Sequence, residues 1–209
     1  DLRNNIPKVR DQGPYGTCAA QSAAAIKEWQ ERKDVNFQEH MSPQFIYNLR
    51  ENHNSSGMFC RDVMKILFTY GICPEYTFPY QSSEIPNEAI KTVAKNNIIK
   101  GYAQIKTIDG LKTALYQNGP CLIAFPVYNK GKEMWKPTKG SKRQGGHAMT
   151  VVGYNRTGFI IRNSWGEDWN NKGYCTYSYK DWGSHWEIWS TVDAESEAIP
   201  SRKISLCCI

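Results

Sequence analysis

Asp11-Gln-Gly-Pro-Tyr-Gly-Thr-Cys18 runs without a break into Cys18-Ala-Ala-Gln-Ser-Ala-Ala-Ala-Ile-Lys-Glu-Trp-Gln-Glu-Arg32. The first stretch, with its two Gly and one Pro, is a turn-rich loop. The second is Ala-rich and free of Gly and Pro, which predicts about four turns of helix opening at Cys18. A thiol at that position feels the positive end of the helix dipole and the free N–H groups of the first turn. Both favour the thiolate. A cysteine at a helix start is more often a packed residue, so a reactive reading also requires a base.

The base is found far along the chain. His147 follows the flexible Gly145-Gly146 and opens an apolar run to Tyr154. Sixteen residues on, past one hairpin, Asn163 precedes Ser164-Trp165-Gly166. An Asn side chain there can fix the tautomer of an imidazole, the orienting role in a catalytic triad. The other cysteines have plainer readings. Cys121 and Cys175 lie inside strand-like runs and read as small buried hydrophobes. Cys60 and Cys73 flank a helix and read as core residues or disulfide partners. None of the seven cysteines forms a Cys-x-x-Cys pair, so no zinc or redox motif is present in the sequence.

Working outward, the first half reads helical. Ser42-Pro43 supplies an N-cap and a first-turn Pro for a helix through Phe45, Ile46 and Leu49. A third helix fits Arg61 to Tyr70 with Gly71 as its stop, and Ile85 to Lys95 fits a short fourth. The second half changes character. Cys121–Tyr128, His147–Tyr154, Gly158–Arg162 and Gly173–Tyr179 are strand-like, with a turn at 155–158. Helices first and strands second predict an α+β protein of two lobes. The join is expected near residues 101–110, around Gly101 and Asp109-Gly110. This divides the chain into a helical lobe at 9–104 and a β-rich lobe at 105–192. Residues 1–8 are expected to pack on the second, and 193–209 form a tail of no assigned role.

The ordered set of Gln, Cys, His and Asn resembles the papain/cathepsin family of cysteine peptidases. Residues 11–19 resemble that family's nucleophile loop, Gly145–Tyr154 its histidine strand, and Ile161–Trp169 with Gly173-Tyr174 its asparagine segment. Met41-Ser-Pro-Gln44, Tyr70-Gly-Ile-Cys-Pro-Glu75 and Phe78-Pro-Tyr80 also match. The interval from Cys18 to His147 agrees with the family spacing. The resemblance implies a two-lobed papain-like fold, with a helical left lobe, a β-barrel-like right lobe and the active site in the cleft. It implies an endopeptidase working through a thioester. Cys18 would be the nucleophile, His147 the general base and then acid, and Asn163 the orienter of the imidazole. Gln12 would donate to the oxyanion, and Trp165 would shield the His147–Asn163 bond. Substrate backbone would lie against Gly57-Met58, with Phe59 and Cys60 walling a subsite. No metal or cofactor is implied. The implied partners are peptide or protein substrates and the chain's own propeptide, acting on a monomer.

The departures bear on specificity. Tyr15 stands where the family has a cysteine that pairs with one near Ser55. Ala19 and Gln21 replace aromatics, and Met58 replaces a second glycine. This leaner pattern resembles bacterial or viral branches. The missing disulfide leans towards an acidic vacuolar or lysosomal compartment, or a reducing intracellular one such as a virus encounters. The rival readings are a binding homologue without strong catalysis and a peptide ligase or acyl transferase on the same fold.

Composition narrows the classes further. The chain carries 26 Lys and Arg against 20 Asp and Glu, a net +6. That excess is too mild, and too poorly interleaved with aromatics, for a nucleic-acid binder. No run reaches the roughly 20 apolar residues of a membrane helix. The one dense basic patch comprises Lys130, Lys132, Lys136, Lys139, Lys142 and Arg143, against Glu133 alone. Such a run reads first as a solvated loop. Its closeness to His147 also predicts a preference for acidic residues after the cut. Asn54 and Asn155 head glycosylation sequons.

Overall fold

A computed structural model describes residues 1–194. Among these residues the chain forms five α-helices and six strands. The helices are α1 (Cys18–Val35), α2 (Pro43–Asn48), α3 (Cys60–Thr69), α4 (Glu88–Ala94) and α5 (Ile108–Gln117). The strands are β1 (Ile99–Gln104), β2 (Cys121–Val127), β3 (Gly145–Tyr154), β4 (Gly158–Arg162), β5 (Tyr174–Ser178) and β6 (Glu187–Asp193). They form one antiparallel sheet in the order β1-β6-β2-β3-β4-β5.

The central helix α1 is buried continuously from Ala19 to Glu31. Its alanines explain why. A small side chain at nearly every turn lets the helix lie between α2 and α3 on one side and β3 on the other. It ends where Asn36 takes the left-handed conformation at φ 55° and donates its N–H to Glu31 O. Ser42 caps α2 by accepting the Phe45 N–H at 3.1 Å, with Pro43 in the first turn. Gly71 closes α3 at φ 74°, and a Cβ there would sit 2.1 Å from Ala94 O, so only glycine fits.

Two hydrophobic cores share the sheet. Ile26, Phe45, Ile46, Val63, Met64 and Leu67 build a helical core. Ile123, Phe125, Trp135, Met149, Phe159 and Tyr177 build the second. Strand β2 serves both, because its side chains alternate: Leu122 and Ala124 face the helices, and Cys121, Ile123 and Phe125 face the other way. Cys60 and Cys73 are buried free thiols of the helical core. At the N-terminus, Leu2 donates its N–H to Val152 O at 2.8 Å, and Ile6 packs with Ala25, Trp29, Val152 and Ile160.

Three elements differ from the sequence expectations. Around the expected join at 101–110 the chain forms the end of β1 and the start of α5. Thr107 caps α5, and Gly110 donates its N–H to Thr107 Oγ1 at 3.0 Å, so Asp109-Gly110 is the helix's first turn and not a loop. An aspartate is favoured there by the helix dipole. Strand β1 falls inside the expected helical segment 9–104 yet pairs with β6. Asp193, where the tail was expected to begin, is the last residue of β6. The rest of that tail, 195–209 with Cys207 and Cys208, lies outside the described residues.

Candidate active site

Four chain segments converge on Cys18. The first is α1 itself, which places the thiol in its first turn. The second is β3, whose Ala148 N–H points to Cys18 Sγ at 3.4 Å. His147, 5% exposed, precedes Ala148 on the same strand. Burial by itself would raise the Cys18 pKa. The hydrogen bond and charge of His147, with the N–H groups of Ala148 and Ala19, outweigh it and hold the thiol below its ordinary value. The remaining described thiols behave oppositely. Burial pushes Cys73, Cys121 and Cys175 up to about 12.

The third segment carries Asn163. Its Oδ1 lies 2.7 Å from His147 Nε2 and 2.7 Å from the Ser164 N–H. An amide oxygen only accepts, so Nε2 carries the hydrogen and Nδ1 faces the thiol. The Ser164 N–H also sets the amide's sense, because a flipped Asn163 would aim its NH2 at another donor. Trp165 covers this pair. Its ring lies 4.6 Å from that of His147, tilted by 33°, and its far side meets Trp169 at 5.8 Å.

Gln12 is drawn in by the same segment. A bridge pairs Asp11 with Trp165, and Gln12 N donates to Ser164 O at 2.8 Å. Its side chain is held at both ends: Oε1 accepts from Ser164 Oγ at 2.6 Å, and Nε2 donates to Tyr15 O at 2.7 Å. Nε2 carries a second N–H beyond that bond. Tyr80 braces the loop from behind by donating to Gln12 O and accepting from Thr17 Oγ1, both at 2.8 Å. Ser164 and Tyr80 fall within the stretches that match the family. Their side-chain roles leave no local signal, because each partner lies tens of residues away.

The fourth segment is Gly57–Cys60. Gly57, at φ 85°, passes so close to the nucleophile loop that a Cβ on Gly16 would sit 2.5 Å from Gly57 N. Met58 is half-buried against the helical core, and Phe59 is 69% exposed at the head of α3. Burial pushes the Cys60 thiol well above its usual value, helped by the charge and hydrogen bond of Glu187 and by the charge of Cys18. That places Glu187, which the sequence reading did not single out, beside Cys60 at the same site. Glu187 Oε2 also accepts from Trp189 Nε1 at 2.7 Å. The structure thus brings His147, Asn163 and Trp165 together beside Cys18, ties Gln12 to the Asn163 segment through Ser164, and sets Gly57 against the nucleophile loop.

A depressed thiol, an amide-tethered imidazole and a clamped amide donor in a two-core α+β chain define a site built for thiol-dependent acyl transfer. The family profile described as Papain family cysteine protease matches residues 1–193. An uncharacterized peptidase C1-like protein of Acanthamoeba polyphaga mimivirus is 32% identical over 199 residues, covering 81% of this chain and 64% of that protein. Mouse cathepsin K is 30% identical over 189 residues, covering 81% and 55%. The crystal structure of xylellain, a cysteine protease from Xylella fastidiosa, superposes with a TM-score of 0.80 at 28% identity, covering 92% of this chain and 88% of that one. The chain belongs to the papain family of cysteine proteases. It spans less than two thirds of the length of these two curated relatives.

Proposed function

We propose that the chain is a cysteine endopeptidase. The Cys18 thiolate adds to a peptide carbonyl, forming the C–S bond and an oxyanion that Gln12 Nε2 and the Cys18 N–H receive. The His147 imidazolium gives its proton to the departing amine as the C–N bond breaks, leaving a thioester on Cys18. Water, deprotonated by His147, then releases the acid and restores the thiol. Asn163 keeps the imidazole in the working tautomer, and Trp165 keeps water from that hydrogen bond. Gly57 offers backbone to an extended substrate, with Phe59 at one wall. The substrates are peptides or proteins. A propeptide as inhibitor is in keeping with the greater length of the relatives. The observation that carries the reading is the depressed Cys18 thiol at the start of α1, facing an imidazole fixed by Asn163.

Iodoacetamide labelling near pH 6 tests it, since a paired thiolate persists below neutral pH while ordinary thiols do not react. Cys18 is expected to label first, and Cys18→Ala to abolish peptide cleavage with the fold intact. Preferential labelling of Cys60, or residual cleavage by Cys18→Ala, would overturn the assignment. Product analysis with an added amine separates hydrolysis from transfer.

A further inference from the structure

Behind Asn163, between α1 and the sheet, lies a polar cavity of about 10 Å³ lined by Arg10, Ser22, Glu28, Thr150, Arg162 and Asn163, among others. Asn163 is 2% exposed, and its Nδ2 meets no acceptor among the described residues. Its Oδ1 is committed to His147 and Ser164, so the amide cannot rotate to relieve this. Several of the neighbours are engaged elsewhere. Ser22 Oγ donates to Cys18 O at 3.1 Å, Ser164 Oγ to Gln12, and Arg162 to Lys8 O at 2.9 Å. Arg10 is held by Glu75 and Met41 O.

Glu28 is the one anion on the wall, and it is 1% exposed. Its contacts with the Met41 N–H at 3.1 Å, His40 Nδ1 at 3.1 Å and Arg10 Nη2 at 3.6 Å all fall on Oε1. Oε2 takes none of these three contacts. A polar site of this volume holds one water, which needs two or more polar partners.

We propose that this cavity is a water-binding site, in which one internal water accepts from Asn163 Nδ2 and donates to Glu28, making Glu28 a positioning residue for the His147 imidazole. The chain of control runs from Glu28 through the water to the Asn163 amide, then to His147 Nε2, and so to the ring nitrogen that faces Cys18. The inference rests on the peptidase reading above.

A crystal structure of the free protein at a resolution that shows ordered water is the direct test. Density for a water within hydrogen-bond reach of both Nδ2 and Glu28 is expected, and a dry cavity would overturn the proposal. Two variants test the positioning role. Glu28→Gln removes the charge, and Ala25→Val, at another lining position on α1, fills the cavity while leaving every charged side chain in place. Each is expected to lower kcat roughly tenfold at nearly constant KM, within the hundredfold that a misplacement of about 1 Å can cost. Each should also move the pH profile of Cys18 alkylation upward, which a purely structural defect would not do. If Glu28→Gln does not fold, Ala25→Val and the crystal structure decide. A wild-type kcat and alkylation profile in a folded variant would refute the positioning role alone. Slow alkylation of Cys18 in the unmutated protein would instead refute the peptidase reading.

Discussion

Gln12 works at two ends at once, and its removal separates two effects. The oxyanion donor is worth about a hundredfold in kcat when a single such group is lost. Gln12→Ala also frees Ser164 Oγ and Tyr15 O, which loosens the loop before Cys18. The expected loss is therefore at least about a hundredfold, read as kcat on a peptide substrate, and wild-type turnover would remove Gln12 from the oxyanion site. Asn163→Ala is expected to lower kcat more than it raises KM, because the amide touches the imidazole and not the peptide. A pure KM effect would contradict that. Both expectations follow from individual hydrogen bonds, and neither needs the rest of the fold to change.

The β2–β3 connection shows how one segment can be both anchor and surface. Its sequence reads as a solvated basic loop, yet its middle turns inward. Met134 and Trp135 are buried in the second core, and Trp135 stacks on Phe125 with ring centroids 4.7 Å apart. Lys136 is paired with Glu133 at 2.6 Å and Asp181 at 3.0 Å, so it no longer counts towards the patch. Lys130, Lys132, Lys139, Lys142 and Arg143 stay exposed. The loop is tied to the site at both ends. Lys130 O accepts from Trp169, which packs on Trp165, and Arg143 lies 5.7 Å over the Trp186 ring that abuts Gly146. Five cations so placed are expected to favour acidic residues after the scissile bond. A peptide series varied only there should show higher kcat/KM for Asp and Glu. The advantage should shrink as salt shortens the screening length to about 8 Å at physiological ionic strength. Equal rates at low salt, or an advantage that survives the double charge reversal Lys139→Glu with Lys142→Glu, would leave the loop without a role in recognition.

Across the whole molecule, α1 is bound to the end of the sheet by a buried charge cluster. Lys27 Nζ lies 2.7 Å from Glu31 and 2.5 Å from Asp193, with Lys27 and Glu31 fully buried. Burial raises the Asp193 pKa to about 6; Lys27 opposes the rise, and Glu31 and Asp34 add to it. The unfolded value is about 3.9. The folded state therefore binds the proton more tightly, and this group's contribution to stability is greatest below about pH 4 and is lost as pH rises through about 6. The amount is on the order of 3 kcal/mol. Asp193→Asn removes the titration. The variant's Tm relative to the parent is expected to rise steadily between about pH 4 and pH 7, and a difference that stays constant with pH would show that Asp193 does not titrate there.

Several features were legible because they are local. The start of α1 at Cys18, the Ser42 cap, the turn at 155–158 and the strand of His147 each depend on residues within a few positions of one another. The Gln12, Cys18, His147 and Asn163 set is not local, and its legibility comes from its order along the chain and its resemblance to a known family. What the order of residues left open depends on partners far apart in the chain. β1, with Lys100, Gly101 and Gln104, has little strand character until β6 lies beside it, and β6 ends in an aspartate that only Lys27 makes intelligible. Asp109-Gly110 looks like a turn until Thr107 caps it. The side-chain roles of Tyr80, Ser164 and Glu28 show in no local pattern, because Tyr80 and Ser164 reach Gln12 across 68 and 152 residues and Glu28 acts through a cavity. The sequence alone therefore determined which groups could react. The tertiary structure decided how they are held, since holding a side chain is a matter of long-range packing and hydrogen bonding that no short pattern encodes.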